Sequence, residues 1–182
     1  MNSVLTTYRR WNNITGWFMF IFSAAVYLLT VEPTISFWDC GEFILSAFRL
    51  QVGHPPGAPL FLMIGRIATL FAGGDGTKAA LMINMLSGIC SAFAIMFLVW
   101  TITHLVRRIY TNTTPLETRH ILPIIGSGLI GSMAYTFTDT FWFSAVEGEL
   151  YALSSLMLGL VFWAMLKWEE EADKPTSGRW IV

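Results

Sequence analysis

A chain of 182 residues with 54% hydrophobic and only 13% charged residues is not a typical soluble domain, because soluble domains carry roughly 25% charged residues. Its mean hydropathy of +0.58 indicates an integral membrane protein. The net charge of −1 says little about partners, because the charges are segregated along the chain, and no nucleic-acid partner is expected. Cys40 and Cys90 provide neither a disulfide framework nor metal-ligand spacing.

Four apolar runs are long enough to cross a bilayer, which takes about 20 residues. They are residues 14–31, 79–103, 121–138 and 150–166. No small-residue cleavage site follows the first run, so it is predicted to be an anchor. Residues 37–50 are amphipathic, and residues 59–72 form a short run that contains Arg66; both are predicted to lie at the membrane surface. The predicted fold is an all-α integral membrane protein with four transmembrane helices and juxtamembrane helices in the first outer loop.

The distribution of basic residues predicts the orientation. With four spans, eight of the eleven lysines and arginines fall on one side, which the positive-inside rule makes cytoplasmic. They are Arg9, Arg10, Arg107, Arg108, Arg119, Lys167, Lys174 and Arg179. Both termini are then cytoplasmic, and the loops 32–78 and 139–149 face outward.

The remaining segments have mostly structural interpretations. The acidic stretch 167–178, "KWEEEADKPTSG", is predicted to be a solvated cytoplasmic loop. Glycines in 126–131, "GSGLIG", are predicted to allow close helix packing, and Asn84 to hydrogen-bond between helices. Because 177–182, "SGRWIV", resembles the start of another span, we expect one membrane module, residues 1–182, that is the N-terminal part of a longer protein and inactive alone.

The first outer loop places two carboxylates beside aromatic residues in "FWDCGEF", residues 37–43. Asp39 and Glu42 are three residues apart, so they share a helix face, which continues through Ser46 and Arg49. The proline-rich "GHPPGAP", residues 53–59, ends that helix. His54 is therefore expected to converge with the two acids on a cavity at the outer face.

These acids also have a purely structural interpretation. Ser36 and Asp39 have the spacing of a capping box, with Asp39 as the third helical residue. Glu42 near a helix start would interact favourably with the helix dipole, as would Glu147 and Glu149 just before the last span. On helix physics alone capping is favoured, and either acid could serve both roles.

The stretch "WDCGEFILSAFRLQVGHPPGAPLF", residues 38–61, resembles a bacterial family of unknown function that is related to the eukaryotic transmembrane protein O-mannosyltransferases, within the GT-C superfamily of membrane glycosyltransferases. The resemblance covers the whole chain. It implies a GT-C-like N-terminal module in a bacterial inner membrane, with a cytoplasmic N-terminus and an active site facing the periplasm. It also implies transfer of a sugar from a polyprenyl-phosphate donor to a hydroxyl of an acceptor protein or glycan, in contact with membrane lipid.

Within this resemblance, Asp39 corresponds to the catalytic acid of the first loop and Glu42 to its companion. Two residues separate the pair here, whereas the better-known protein O-mannosyltransferases have adjacent acids. The motif Glu147-Gly148-Glu149 resembles the second acidic motif of GT-C oligosaccharyltransferases. Because glutamate stands first, no metal ligand is assigned, and no cofactor is expected.

The implied chemistry explains why carboxylates lie beside a membrane. A carboxylate can remove the proton of the acceptor hydroxyl as the new bond forms. Arg49 and Arg66 are predicted to bind the donor phosphate, because guanidinium groups bind phosphate in a bidentate manner. His54, Glu147 and Glu149 are also predicted to bind substrate.

Two other functions remain open from the residues. Acidic outer-loop residues could line the ion path of a transporter or channel-like subunit, although such paths usually contain acids within the spans. The chain could also be a membrane assembly subunit without chemistry. A full-length protein with eight or more spans and a periplasmic domain would favour the transferase.

Overall fold

The computed structural model describes residues 2–55, 57–112, 114–173 and 177–180. This part of the chain folds into seven α-helices and two short 3-10 helices, without a strand. The α-helices are α1 (Asn2–Leu29), α2 (Cys40–Arg49), α3 (Pro59–Leu70), α4 (Ala79–Thr111), α5 (Thr118–Thr136), α6 (Asp139–Val146) and α7 (Leu150–Glu170). The predicted all-α class is confirmed for these residues, whereas residues 181–182 of the predicted further span lie outside them.

Three helices, α1, α4 and α7, are long and apolar enough to cross a membrane. Helices α5 and α6 pass the same criterion only together, as a pair bent by 69°, which is either one broken span or a re-entrant segment. The predicted straight run 121–138 differs from this, because α5 ends at Thr136 and the extended backbone of Thr138 starts α6. The predicted outer loop 139–149 therefore contains a helix.

The acidic stretch after the last apolar run is largely exposed, as predicted, but its first residues are helical where the sequence predicts a loop. Helix α7 continues to Glu170, so the stretch begins inside the helix. Glu169 pairs with Arg108, and Glu170 pairs with Arg107. Carboxylates at the end of α7 thus pair with arginines near the end of α4.

The chain divides into two compact units. The first consists of Met1–Phe22, Phe93–Thr136 and Leu156–Val182, and the second of Ser23–Ala92 and Phe137–Ser155. In the first unit, a Cβ at Gly128 would lie 2.5 Å from Thr103, and one at Gly131 would lie 2.8 Å from Ile102. These two glycines therefore allow α5 to approach α4 closely, as predicted for helices in lipid. The prediction is wrong for Gly126, where a Cβ would have no atom of the described residues within 4 Å.

In the second unit, α2 packs against α3. Phe43 meets Phe61 edge to face, with ring centroids 5.8 Å apart. A Cβ at Gly65 would lie 3.0 Å from the Cβ of Ala47, so glycine allows the two helices to approach closely. The predicted juxtamembrane segments 37–50 and 59–72 are thus a helix pair, and this pair carries most of the candidate site residues.

Candidate active site

A buried asparagine holds the segment that leads into the site. Asn84 is fully buried, and its Nδ2 donates to the carbonyl oxygens of Glu32 at 2.6 Å and Thr34 at 2.9 Å. The Glu32 N–H donates to Val146 O at 3.0 Å. The predicted helix-to-helix role of Asn84 is therefore wrong: this amide satisfies loop carbonyls, which are costly to bury without a partner.

The start of α2 differs from the predicted capping box. The helix begins at Cys40, so Asp39 is its N-cap residue, yet the Asp39 side chain makes no capping hydrogen bond. Ser36 instead donates from Oγ to Glu147 Oε2 at 2.6 Å. The backbone of Trp38, just before the helix, is left-handed with φ 61°. Asp39 is exposed, and its side chain forms no hydrogen bond with the described residues.

Glu42 and His54 form a two-point contact. The His54 N–H donates to Glu42 Oε1 at 2.6 Å, and His54 Nδ1 lies 3.0 Å from Oε2. Gly53 leaves room for this contact, because a Cβ there would lie 3.1 Å from Oε1. The side-chain hydrogen bond raises the pKa of His54 above its ordinary 6.5 and lowers the pKa of Glu42 below its ordinary 4.5. The charge of Asp39 contributes to the shift at His54, so the three groups lie within electrostatic reach.

The polar stripe predicted along α2 is interrupted at Ser46. Glu42 and Arg49 are exposed, but Ser46 is buried. Leu50 has a left-handed backbone with φ 51°, and the following Gln51 N–H donates to Ser46 O at 2.9 Å. This helix end folds the chain back over α2, which covers Ser46 and brings residues 53–54 onto the helix.

The second acidic motif lies against the first residue of α2. Cys40 donates from Sγ to Glu149 Oε1 at 3.4 Å, and the Glu149 N–H donates to Glu147 O at 2.9 Å. Burial raises the pKa of Glu149, and Glu147 and Asp39 raise it further. Burial, Glu147 and Glu149 also raise the pKa of the Cys40 thiol. The predicted dipole role does not explain Glu147, which ends α6, where a negative charge is unfavourable.

Three of these side chains could bind a metal ion. One ligand atom each from Cys40, Glu147 and Glu149 lie within 4.8 Å of one another. Thiolate and carboxylate groups are ligands that zinc accepts. The sequence analysis assigned no metal ligand here. Cys40 and Glu149 are 109 residues apart and share no local motif.

The two predicted phosphate-binding arginines flank one aromatic ring. The guanidinium carbons of Arg49 and Arg66 lie 5.8 and 5.6 Å from the ring centroid of Phe48. Arg66 also donates from Nη1 to Phe48 O at 2.8 Å. Arg49 is exposed, and its side chain has no hydrogen bond or ion pair with the described part of the chain. Phe48 lines a largely apolar cavity of about 350 Å³ together with Ile44 and Leu45.

Sequence reasoning missed two features of the site. Phe37 and Trp38 are 86% and 93% exposed beside Asp39, although the predicted helix assigned them to its apolar side. A left-handed backbone is uncommon for a residue as large as Trp38, and such strain is concentrated at functional sites. The buried Cys40 was treated as incidental, yet it joins α2 to the second acidic motif.

Together these features define an all-α membrane protein with a carboxylate-rich site on the segments between its apolar helices. Comparison with known families identifies the class more closely. The chain belongs to the family described as "Protein O-mannosyl-transferase TMEM260 N-terminal domain", whose model matches residues 39–182. That match includes every candidate residue from Asp39 to Glu149.

Two curated relatives carry the same description. Protein O-mannosyl-transferase TMEM260 of Mus musculus is 29% identical over 148 residues, which cover 81% of this chain and 18% of the mouse protein. Protein O-mannosyl-transferase tmem260 of Dictyostelium discoideum is 24% identical over 143 residues, 79% of this chain and 16% of that protein. The chain therefore spans less than a fifth of the length of these relatives. No solved structure matches it.

Proposed function

We propose that this chain supplies the acidic part of the active site of a GT-C-type glycosyltransferase, which moves mannose from a polyprenyl-phosphate donor to a protein hydroxyl at the outer membrane face. The observation that carries the proposal is the meeting of two acidic segments around α2, linked through Ser36–Glu147 and Cys40–Glu149. The names of the relatives supply the reaction class and the sugar.

Asp39 is the best-placed general base among the four carboxylates. Each of the other three carboxylates already has a hydrogen-bond partner. The partner of Glu42 is His54, that of Glu147 is Ser36, and that of Glu149 is Cys40. Among these four, only the Asp39 carboxylate is exposed without a hydrogen-bond partner in the described chain. A carboxylate of this kind can accept the proton of an acceptor hydroxyl that approaches from water.

The proposed step balances without a co-reactant. The acceptor oxygen bonds to C1 of mannose while its proton moves to the Asp39 carboxylate. The bond from C1 to the phosphate oxygen breaks, and polyprenyl phosphate leaves with the electron pair. This leaving group is stable as an anion, so it needs a cationic contact more than a strong acid. Arg49 can provide that contact, and His54 retains its proton to a higher pH than an isolated histidine.

The apolar cavity beside Arg49 suits the lipid part of the donor. It has Ile44, Leu45 and Phe48 in its wall, and Arg49 and Arg66 lie against the Phe48 ring. An isoprenoid chain in this cavity would bury its apolar surface, and its phosphate would lie near the guanidinium groups. The exposed Trp38 next to Asp39 offers a ring on which a sugar can stack.

The two linked segments also favour four membrane crossings. Residues in contact must lie on one side of the membrane, and Ser36 and Cys40 contact Glu147 and Glu149. Between them the chain crosses once in α4, so it must return before Glu147. The bent pair α5–α6 is the segment available for that return. With the positive-inside rule, both acidic segments then face outward.

A donor-exchange assay tests this function. Full-length protein in nanodiscs is incubated with serine- and threonine-containing peptides and labelled mannose, supplied either as polyprenyl-phosphate mannose or as GDP-mannose. Label is expected in the peptides only with the lipid-linked donor. It should be lost in Asp39→Asn and retained in Asp75→Asn, which alters a partly exposed acid of the same loop. Equal transfer from GDP-mannose, or full activity of Asp39→Asn, would contradict the proposal.

A further inference from the structure

A second cavity, of about 280 Å³, lies among α1, α4 and α7 within the first unit and shares no residue with the candidate active site. We call it the basic cavity. Its wall combines three cationic side chains with three indole rings. They are Arg9, Arg107, Lys167, Trp100, Trp163 and Trp180.

The aromatic wall of the basic cavity is held by specific contacts. The Trp163 ring centroid lies 5.4 Å from those of Trp100 and Trp180, the latter edge to face. Trp100 donates from Nε1 to Asn12 O at 3.2 Å, and Thr103 donates from Oγ1 to Asn12 Oδ1 at 2.6 Å. Hydrogen bonds thus join helices α1 and α4 at the basic cavity and fix the position of the Trp100 side chain in its wall.

The basic cavity contains more hydrogen-bond donors than its carboxylates can accept from. The Glu170 carboxylate pairs with Arg107 and with Lys167, whose Nζ lies 3.0 Å from Oε2. His104 Nδ1 lies 3.5 Å from Glu170 Oε1. His104 is 4% exposed, and among the described residues its Nε2 has no hydrogen-bond partner; the buried Nε of Arg107 has none there either. Arg9 is exposed, and its side chain forms no hydrogen bond or ion pair with the described residues.

Several positively charged side chains lie close together in the basic cavity. Arg9, Arg107 and Lys167 all line this one cavity. The other lining carboxylate, Glu171, is already engaged by Arg179 and by Trp180 Nε1. Because like charges at short range repel strongly where water is scarce, an added anion would lower the electrostatic energy of this group.

We propose that the basic cavity binds a phosphate group, carried by the headgroup of an anionic phospholipid. Tryptophan rings concentrate at the membrane–water interface, and basic pockets between membrane helices bind phospholipid headgroups. Arg9 and Arg107 supply guanidinium donors for the phosphate oxygens. The Glu170 carboxylate occupies part of this donor set, so it competes with the phosphate.

The experiment uses full-length protein in neutral detergent. Thermal stabilisation is titrated with phosphatidylglycerol, with phosphatidylcholine and with inorganic phosphate. Phosphatidylglycerol is expected to stabilise the protein at lower concentration than either of the others. Arg9→Gln should weaken its apparent affinity about tenfold, the effect of one charge-assisted hydrogen bond. Arg10→Gln, an exposed neighbour outside the cavity, should leave it unchanged, and Glu170→Gln should tighten it.

Each result has a defined meaning. If inorganic phosphate reproduces the stabilisation with the same response to Arg9→Gln, the phosphate site stands but its ligand is soluble, and the lipid assignment is overturned. Because phosphatidylcholine also carries a phosphate, equal responses to it and to phosphatidylglycerol overturn the assignment to an anionic headgroup. Equal losses in Arg9→Gln and Arg10→Gln overturn the phosphate site. Glu170→Gln gives an independent check, because weaker binding in that variant contradicts competition by the carboxylate.

Discussion

Replacing Asp39 by Asn and by Ala separates a catalytic role from a capping role. An N-cap aspartate that bonds the helix backbone costs about 1 kcal/mol when changed to Ala and a few tenths when changed conservatively. Asp39 makes no such bond, so this loss is absent. What remains is an attraction to the α2 N-terminus of about 0.3–1 kcal/mol, which repulsion between Asp39 and Glu149 opposes. The free energy of unfolding of both variants should therefore lie within about 0.5 kcal/mol of the wild-type value, as is usual for substitutions of exposed residues.

The expected effect on turnover is much larger. A positioned general base contributes roughly 10²–10⁴-fold to a rate, which corresponds to about 3–5 kcal/mol of activation free energy. Asn and Ala should lose similar amounts, because neither side chain can take the hydroxyl proton. The assay is kcat for mannosyl transfer by full-length protein, measured beside thermal unfolding in the same detergent. Asp75→Asn serves as the matched acid-to-amide control.

Two outcomes would refute this reasoning. If Asp39→Asn keeps near-normal turnover, the carboxylate is not the base, and Glu42 becomes the next residue to test. If Ala loses stability by about 1 kcal/mol and activity falls only in proportion, Asp39 caps the helix in solution. Loss of turnover with unchanged stability is the result that the structure predicts.

The remaining predictions concern the contacts around this residue and the topology. Glu42→Gln replaces the charged acceptor that raises the pKa of His54 by an uncharged amide, so carbethoxylation of His54, which needs the neutral ring, should occur at lower pH; an unchanged pH profile would contradict the Glu42–His54 pair. In wild type, the Glu42–His54 pair contributes its full stabilisation between pH 4.5 and 6.5. Above this window the stabilisation is lost as the pH rises through the raised pKa of His54 and the ring deprotonates. Below this window it is lost as the pH falls through the lowered pKa of Glu42 and the carboxylate is protonated. Gly148→Ala places a Cβ 2.8 Å from a buried amide oxygen and should destabilise by about 1–3 kcal/mol in thermal unfolding; a neutral result would show that this packing relaxes. With native cysteines removed, an impermeant thiol reagent should label a cysteine at Asp75 in intact cells and spare one at Asn112; the reverse pattern would contradict the four-span orientation.

Local physics made part of this protein predictable. The apolar runs have the length that a bilayer requires, and the apolar helices α1, α4 and α7 coincide with three of them. Amphipathic spacing and prolines predicted helices at 37–50 and 59–72, and the structure has them at Cys40–Arg49 and Pro59–Leu70. These features depend on neighbours a few residues away, so a single sequence contains the information. The family resemblance also rests on such a local stretch.

Tertiary structure alone decided which polar groups meet. Ser36 has the spacing of a helix cap, but its partner is Glu147, 111 residues later. Glu170 belongs to a stretch that looks solvated, yet it lies among the donors of the basic cavity. A hydroxyl or carboxylate bonds whichever group the packing of distant helices brings within about 3 Å. Sequence spacing specifies a residue's place on its own helix, and only the packing of one helix against another specifies what it faces there.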